Sequence, residues 1–233
     1  MPEAKELPSR SLDLRSWLLE LARATMAREG TSDVAHDMDH IVRVMALAEI
    51  IQRREGGDLT VIWAAAALHD IGQERERRQG GDHALIGAQM AAELLSGTPF
   101  PQEAIPAVQE AIADHRLTAG QRPRSLEGQV LYDADKLDAL GAIGIGRLYM
   151  ITGRRGQRVY APLPDDLVLP VPPQQVRELR NRPDYSPSIE FRLLFTDLPE
   201  QLCTATGREL ARQRYAFMCE FFQRLEAEAR GDG

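Results

Sequence analysis

The residues of this chain best suited to chemistry are its histidines, which form a small and unevenly placed set. All of them lie in the first half of the 233-residue chain, at positions 36, 40, 69, 83 and 115. Each falls at or near the end of a predicted helix, whereas scattered surface histidines would follow no such pattern. A lone buried histidine is more often a hydrogen-bonded core residue than a ligand. The whole set, with nearby carboxylates, instead predicts one shared centre.

Two of the predicted helices carry histidine on the face that points toward the core. His40 lies on a stripe with the apolar residues Val44, Leu47 and Ile51. His115 extends an apolar row on its own helix in the same way. His36 is four residues before His40 and shares its helix face.

The stretch AAAALHDIGQE, residues 64–74, ends an apolar run on an imidazole and a carboxylate, His69 and Asp70. Burying a charge without a partner is costly, and a neutral polar group still needs a hydrogen bond. The preceding alanines allow neighbouring helices to approach closely. We therefore expect this helix end to deliver both side chains to a polar centre.

A second acidic stretch, DADKLDAL, places Asp135 and Asp138 three residues apart among small and apolar neighbours. An aspartate in such surroundings needs a cation, a hydrogen-bond donor or a proton. Asp133 falls on another face of the helix, and we interpret it as a helix cap or an ion-pair partner.

Helical periodicity dominates the chain, and alternation typical of strands is scarce. We predict an all-α protein with one domain over residues 11–230, after a flexible N-terminus at 1–10. We expect a loop at Glu74–Asp82 and a helix through GQVLYDADKLDAL, whose continuation past Gly141 stays open. Seven prolines between Pro162 and Pro187 predict a long extended loop or lid over 161–188, before the C-terminal helices.

The composition is that of a globular protein, with 43% hydrophobic and 27% charged residues. A net charge of −7 gives no global attraction to nucleic acid or to anionic membranes. No apolar run reaches the length of a membrane span, and the first residues carry no apolar signal segment, so we expect a cytoplasmic protein. Cys203 and Cys219 follow no zinc pattern.

Four stretches together resemble the HD-domain phosphohydrolase superfamily, and within it a bacterial subfamily of stand-alone hydrolases. They are HDMDHIVRV, AALHDIG, DADKLDALGAIGIGR and ARQRYAFMCEFF. The resemblance covers roughly residues 11–228 and implies a helical HD-domain bundle. Two positions depart from the subfamily, which usually has arginine in place of Lys136 and His-Phe in place of Glu190-Phe191.

The resemblance also implies which residues bind metal. One divalent ion would be held by His40, His69, Asp70 and Asp135. Asp70 could bridge to a second ion held by His83 and His115; alternatively, these two histidines would bind substrate phosphate. Imidazole and carboxylate ligands suit Mn, Fe, Co, Ni or Zn, whereas an all-oxygen magnesium site would not need histidine.

In a hydrolase of this kind the metal lowers the pKa of a bound water and polarises a phosphoryl oxygen. Lys136 or Arg147 could stabilise the developing charge. The candidates for protonating the leaving oxygen are His36, Asp37, Glu74 and Asp82. Further candidates for contacting substrate are Asp138 and two of the three arginines of GRRGQR, Arg154 and Arg155.

We expect the substrate to be a small phosphorylated molecule, specifically a nucleotide, cleaved as a phosphomonoester or with release of pyrophosphate from a triphosphate. Two other functions stay open at this point: a di-iron oxygenase on the same scaffold, and a non-catalytic metal- or nucleotide-binding module. No polymeric nucleic acid and no membrane partner is expected. The amphipathic C-terminal helix could form a homodimer interface or pack within its own domain.

Overall fold

The structure is a computed structural model that describes residues 11–30, 37–116, 122–164, 167 and 171–232. Within these residues every regular element is a helix and no strand occurs, which confirms the prediction of an all-α fold. The elements, with a single 3-10 turn at Gln102–Ala104, are α1 (Ser11–Glu29), α2 (Met38–Glu55), α3 (Leu59–Leu68), α4 (Gln73–Gln79), α5 (His83–Leu95), α6 (Ile105–Asp114), α7 (Leu126–Asp138), α8 (Gly141–Arg154), α9 (Pro173–Arg180), α10 (Pro187–Leu194), α11 (Leu198–Gln201) and α12 (Ala205–Arg230).

The described chain divides into two compact units. Unit 1 contains the described residues up to Asp135 together with Cys203–Thr206. Unit 2 contains Lys136–Leu202 and the described residues from Gly207 onward. One HD domain over 11–230 stays a prediction, and the predicted flexible segment 1–10 lies outside the described residues.

Unit 1 is built around α3, whose residues from Val61 to Leu68 are all buried. It packs against α1, α2, α5 and α6, so it is covered on several sides. Because four consecutive residues of α3 are alanines, neighbouring backbones can come close without cavities. This central helix ends at the His-Asp pair, which places both residues inside the unit.

Asp133 fastens α7 to the start of α12 inside unit 1. Its buried carboxylate accepts hydrogen bonds from the backbone N–H groups of Cys203 and Thr204, at 2.7 Å and 2.8 Å, and from the Thr204 hydroxyl. The interpretation of Asp133 as a structural, capping-type residue agrees with these contacts.

Unit 2 has its own apolar cluster, formed by Ala161, Leu179, Tyr185 and Ile189. Phe191 adds a stacked aromatic contact with Phe222, with ring centroids 4.5 Å apart. None of the described helices combines the length and apolar character that crossing a membrane requires.

Two predictions about elements were wrong, and the structure defines where a third element ends. The expected loop at Glu74–Asp82 is mostly helix α4, since QERERRQ consists of good helix formers and Gly80, at φ +77°, ends it. The proline-rich segment contains helix α9, because its prolines stand at the N-terminus and leave QQVRELR uninterrupted. The helix through DADKLD does not run on but ends at Asp138, and Gly141, with φ +74°, begins α8.

Candidate metal centre

Helix ends deliver four histidines to one region of unit 1, as the sequence pattern predicts. His40 lies in the first turn of α2, and His83 is the first residue of α5. His69 and His115 are the residues immediately after α3 and α6. His40, His69 and His115 are almost completely buried, and the His83 side chain is 13% exposed.

The local sequence explains why each helix begins or ends there. Asp37 caps α2 by accepting a hydrogen bond from the His40 N–H at 3.0 Å, and Asp82 caps α5 by accepting one from Ala84. Gly72 follows the His-Asp pair and lies against α5. A Cβ placed on Gly72 would lie 2.4 Å from the His83 carbonyl oxygen and 2.6 Å from the Gly87 nitrogen. Glycine at 72 therefore permits the close approach that brings His83 to Asp70.

One group of donor atoms is formed by His40, His69 and Asp135, with Asp70 beside them. The Nε2 atoms of His40 and His69 are 3.4 Å apart. Asp135 Oδ1 lies 3.5 Å from the Nε2 of His40 and 3.9 Å from that of His69. Two donors bound to one ion at about 2.1 Å stand roughly 3.0–3.5 Å apart, so the group has the size of a metal site.

A second group is formed by Asp70, His83 and His115. Asp70 Oδ1 lies 3.8 Å from His83 Nε2 and 3.9 Å from His115 Nε2. Its other oxygen, Oδ2, lies 3.5 Å and 3.3 Å from the Nε2 atoms of His40 and His69. The two oxygens of one carboxylate thus face two different pairs of imidazoles, which is the arrangement of a bridging ligand.

The histidine ring orientations suit metal binding. Nδ1 of His69 lies 2.9 Å from the Ala66 carbonyl, and Nδ1 of His115 contacts the Ile112 carbonyl at 2.6 Å. A carbonyl oxygen only accepts hydrogen bonds, so in the neutral imidazole these Nδ1 atoms carry the proton. The Nε2 lone pairs then point toward the carboxylate oxygens, which also bear lone pairs. A cation between them removes this repulsion.

The electrostatics of the cluster favour positive charge among the carboxylates and a neutral ring at His115. Burial by itself lowers the pKa of His69, but the Asp70 and Asp135 carboxylates outweigh it and hold that pKa above its ordinary value. Burial, together with the neighbouring His69, lowers the pKa of His115 to about 4. A neutral His115 is available as a ligand near neutral pH.

Glu76 is a functional candidate that the sequence analysis missed. Its Oε2 accepts a hydrogen bond from His83 Nδ1 at 2.8 Å, and Arg116 Nη1 contacts its other oxygen at 2.5 Å. This carboxylate fixes the His83 tautomer and leaves Nε2 directed at Asp70. Burial raises the pKa of Glu76, but the hydrogen bonds from His83 and Arg116 outweigh it and keep that pKa low. The sequence analysis missed Glu76 because it predicted a loop over residues 74–82, where the structure has helix α4.

The other predicted residues of unit 1 have defined surroundings. Glu74 is buried and accepts hydrogen bonds from Arg77 and Arg78, which lower its pKa. Asp37 serves as the cap of α2. His36 lies outside the described residues.

The remaining predicted residues belong to unit 2. Asp138 is almost fully buried and accepts a hydrogen bond from Arg147 Nη1 at 2.9 Å. Lys136 follows Asp135 on α7, and Arg154 is the exposed last residue of α8 with Arg155 directly after it. Contact of these five residues with substrate stays a prediction.

Comparison with known proteins gives a consistent result. The family model for the HD domain matches residues 38–140. A predicted HD superfamily hydrolase from an uncultured Thermotogales bacterium is 32% identical, with 91% of each chain covered and a TM-score of 0.63. YpgQ of Bacillus subtilis, described as an uncharacterized protein, is 28% identical over 199 residues, which are 84% of this chain and 85% of YpgQ.

A structure of YpgQ from Bacillus subtilis has been solved in complex with ADP. It is 26% identical to this chain, covers 93% of it and 95% of YpgQ, and superposes with a TM-score of 0.66. The HD match includes His40, the His69-Asp70 pair and Asp135, the same residues whose side chains converge in unit 1. The chain therefore belongs to the HD-domain phosphohydrolase superfamily.

Proposed function

We propose that this protein hydrolyses a phosphate bond of a nucleotide at a metal centre in unit 1. The observation that carries the proposal is the position of Asp70, whose two oxygens each face a pair of imidazole Nε2 atoms at 3.3–3.9 Å. Buried carboxylate and imidazole lone pairs at these separations need positive charge between them.

His40, His69, Asp70 and Asp135 would hold one divalent ion. Asp70 would bridge to a second ion held by His83 and His115, and this agrees with the two groups of donor atoms. The imidazole-rich donor set favours Mn, Fe, Co, Ni or Zn over an ion that prefers oxygen alone. A bound ion supplies a Lewis acid for the phosphoryl oxygen and makes a coordinated water more acidic.

The chain's own groups then orient the ligands and move protons. Glu76 holds His83, while backbone carbonyls hold His69 and His115, so that three rings need no rearrangement on binding. Of the four predicted proton donors to the leaving oxygen, His36, Asp37 and Asp82 stay candidates, whereas Arg77 and Arg78 lower the pKa of Glu74 and disfavour it. Lys136 and Arg147 are the proposed cations for the substrate phosphates.

The nucleotide substrate is proposed from one relative. YpgQ of Bacillus subtilis was solved with ADP, and it aligns with more than nine tenths of this chain. A nucleotide carries both phosphomonoester and phosphoanhydride bonds, so hydrolysis would release either phosphate or pyrophosphate. Release of phosphate from a nucleoside monophosphate indicates hydrolysis of a phosphomonoester, whereas release of pyrophosphate indicates cleavage of a triphosphate.

A release assay tests the proposal. Nucleoside mono-, di- and triphosphates and simple phosphomonoesters would be incubated with Mn²⁺, and phosphate and pyrophosphate measured separately. Wild type would be compared with Asp70→Asn, which removes the bridging charge, and with Glu93→Gln, an exposed change on the helix that begins with His83.

We expect release by wild type and Glu93→Gln, with a loss of at least about a hundredfold in Asp70→Asn. Circular dichroism checks that the variants are folded. Equal background release by all three proteins across the panel would refute the proposed hydrolysis.

A further inference from the structure

Unit 2 contains a cavity of about 230 Å³ whose walls are rich in arginine. Its lining residues are Arg155, Gln157, Arg180, Asn181, Arg182 and Pro183, and no acidic residue is among them. We propose that this cavity binds free phosphate in a form that retains a proton. This inference goes beyond the proposed hydrolysis and does not depend on it.

The arginines provide the positive charge. Arg180 and Arg182 each use the edge formed by Nε and Nη2 to bind a carboxylate, Glu190 and Asp184 respectively. These contacts hold each guanidinium in place, while the group has five N–H donors in total. The Arg155 side chain makes no ion pair or hydrogen bond with any other residue in the described part of the chain, so its charge is available to an anion.

The side-chain amide of Gln157 indicates that the ligand carries a proton. Its Nε2 donates to the carbonyl oxygens of Arg180 and Arg182, at 2.7 Å and 3.0 Å. Because carbonyls only accept, the amide cannot be flipped, and Oε1 must be the other atom. Oε1 is buried and accepts no hydrogen bond from any described residue. A buried acceptor left unsatisfied is costly, so a suitable ligand brings an O–H or N–H donor.

The same amide makes the cavity more favourable to an anion. Carbonyl oxygens at the end of a helix carry partial negative charge and repel anions, and α9 ends at Arg180. Gln157 Nε2 donates hydrogen bonds to the Arg180 carbonyl at this helix end and to the Arg182 carbonyl, which reduces the repulsion of an anion by these oxygens. A hydrogen phosphate ion has oxygens for the guanidinium groups and an O–H for Gln157 Oε1. Sulfate has the same shape but no proton near neutral pH.

Equilibrium dialysis of the full chain with inorganic phosphate, at fixed ionic strength near neutral pH, tests the proposal. The variants are Arg155→Gln, which removes the unpaired charge, and its matched control Arg154→Gln, the preceding exposed residue that does not line the cavity. Asp70→Asn separates this cavity from the metal centre. Sulfate and a nucleoside monophosphate serve as competitors.

We expect Arg155→Gln to weaken phosphate binding about tenfold or more, and sulfate to bind wild type about tenfold more weakly than phosphate. Arg154→Gln and Asp70→Asn should bind phosphate as wild type does at this cavity. A nucleoside monophosphate, whose phosphate has mostly lost its last proton near neutral pH, should displace phosphate about as weakly as sulfate does.

Three results would overturn the proposal. They are no phosphate binding at millimolar concentration, binding lost in Asp70→Asn but unchanged in Arg155→Gln, and equal affinity for phosphate and sulfate. Retained helicity of Arg155→Gln by circular dichroism excludes a folding defect as the cause of lost binding.

Discussion

At the scale of single residues, the chemistry of unit 1 depends on which group contacts the Nδ1 atom of each imidazole. His69 and His115 are held by carbonyls of their own helices, three residues earlier in the chain. His83 begins its helix and has no such carbonyl behind it, so Glu76 from α4 takes that role. Of these three rings, His83 is therefore the one whose orientation depends on a separate side chain.

Glu76→Ala should weaken binding of a second ion without preventing binding of the first. Loss of a carboxylate behind a ligating histidine typically costs about 10- to 100-fold in metal affinity. Isothermal titration with Mn²⁺ or Zn²⁺ would show this as loss of the weaker of two sites, and nitrogen NMR would show a mixed tautomer at His83. Glu93→Ala, an exposed change on α5, is the control. Unchanged affinity at both sites would show that Glu76 does not position His83.

The converging histidines and Asp70 were predictable from the sequence, whereas Glu76, which orients His83, was not. The histidines and Asp70 stand out because polar groups at the ends of apolar helices are rare unless they have a partner. Glu76 lies in ERERRQ, a run of charged residues that reads as solvent-exposed. Only the turn at Gly80 and Gly81 brings it back to His83, and no periodicity in the sequence encodes that return.

At the scale of elements, Gly72 controls how close α5 comes to the His-Asp pair. The backbone at Gly72 is in the right-handed region, so its role is steric and not conformational. Gly72→Ala would place a methyl group against backbone atoms of His83 and Gly87 that cannot rotate away. We expect destabilisation of about 1–3 kcal/mol and weaker metal binding, because α5 must move away and take His83 with it.

Urea denaturation and metal titration of Gly72→Ala measure these two effects. Gly153→Ala is the matched control, since a Cβ at Gly153 meets nothing within 4 Å. Wild-type stability and affinity in Gly72→Ala would mean that the contact between α5 and this turn is not needed.

Some helix boundaries follow from the local sequence, whereas others involve contacts between residues that are distant in the sequence. The capped starts of α2, α3 and α5 follow from Asp37, Asp58 and Asp82, and local sequence rules find them. By contrast, α3 ends at Leu68, four residues before Gly72, and Gly72 lies against α5 in a contact that no local sequence rule finds.

A pH-sensitive contact joins α1 to α4. Glu29 is buried and accepts hydrogen bonds from Arg75 Nη2 at 2.8 Å and from Arg75 Nε. The Arg75 hydrogen bonds outweigh burial and lower the pKa of Glu29 below its ordinary value of 4.5. A carboxylate with a lowered folded-state pKa adds stability above the unfolded-state pKa, and this stability disappears as pH falls through the folded-state pKa.

Between about pH 5 and pH 3, wild type should therefore lose more stability than Glu29→Gln, whose side chain does not titrate. The difference should be about 1 kcal/mol, at the low end for a charged hydrogen bond, because Arg75 is 39% exposed and water screens the pair. Urea midpoints at several pH values, with the exposed change Glu103→Gln as control, measure it. Parallel pH curves for wild type and Glu29→Gln would show that the contact contributes nothing.

At the scale of the whole molecule, all six candidate ligands belong to unit 1, and the arginine-lined cavity belongs to unit 2. The net charge of −7 is compatible with both, because each site concentrates its own local charge. Cytoplasmic location and a homodimer stay predictions. A ligand that binds only the folded form of one unit should stabilise that unit selectively.

Mn²⁺ should therefore raise the melting temperature of the transition that includes unit 1, as measured by calorimetry. A chelator should reverse this increase. At a hundredfold excess over the dissociation constant the gain is about 2.7 kcal/mol, or several degrees for a chain of this size. Inorganic phosphate should act on a different transition if the units melt separately. The gain from Mn²⁺ should shrink as pH falls, because protons compete with the metal for imidazole nitrogen.

Asp70→Asn separates metal binding from folding in this experiment. Asparagine keeps the size of the side chain but removes the charge that both groups of histidines share, so the apo variant should melt within a few degrees of apo wild type. It should gain little from Mn²⁺, whereas His83→Ala should keep the part of the gain that comes from the first ion. If Mn²⁺ raised the melting temperature of Asp70→Asn as much as that of wild type, Asp70 would not be the residue that joins the two groups of ligands.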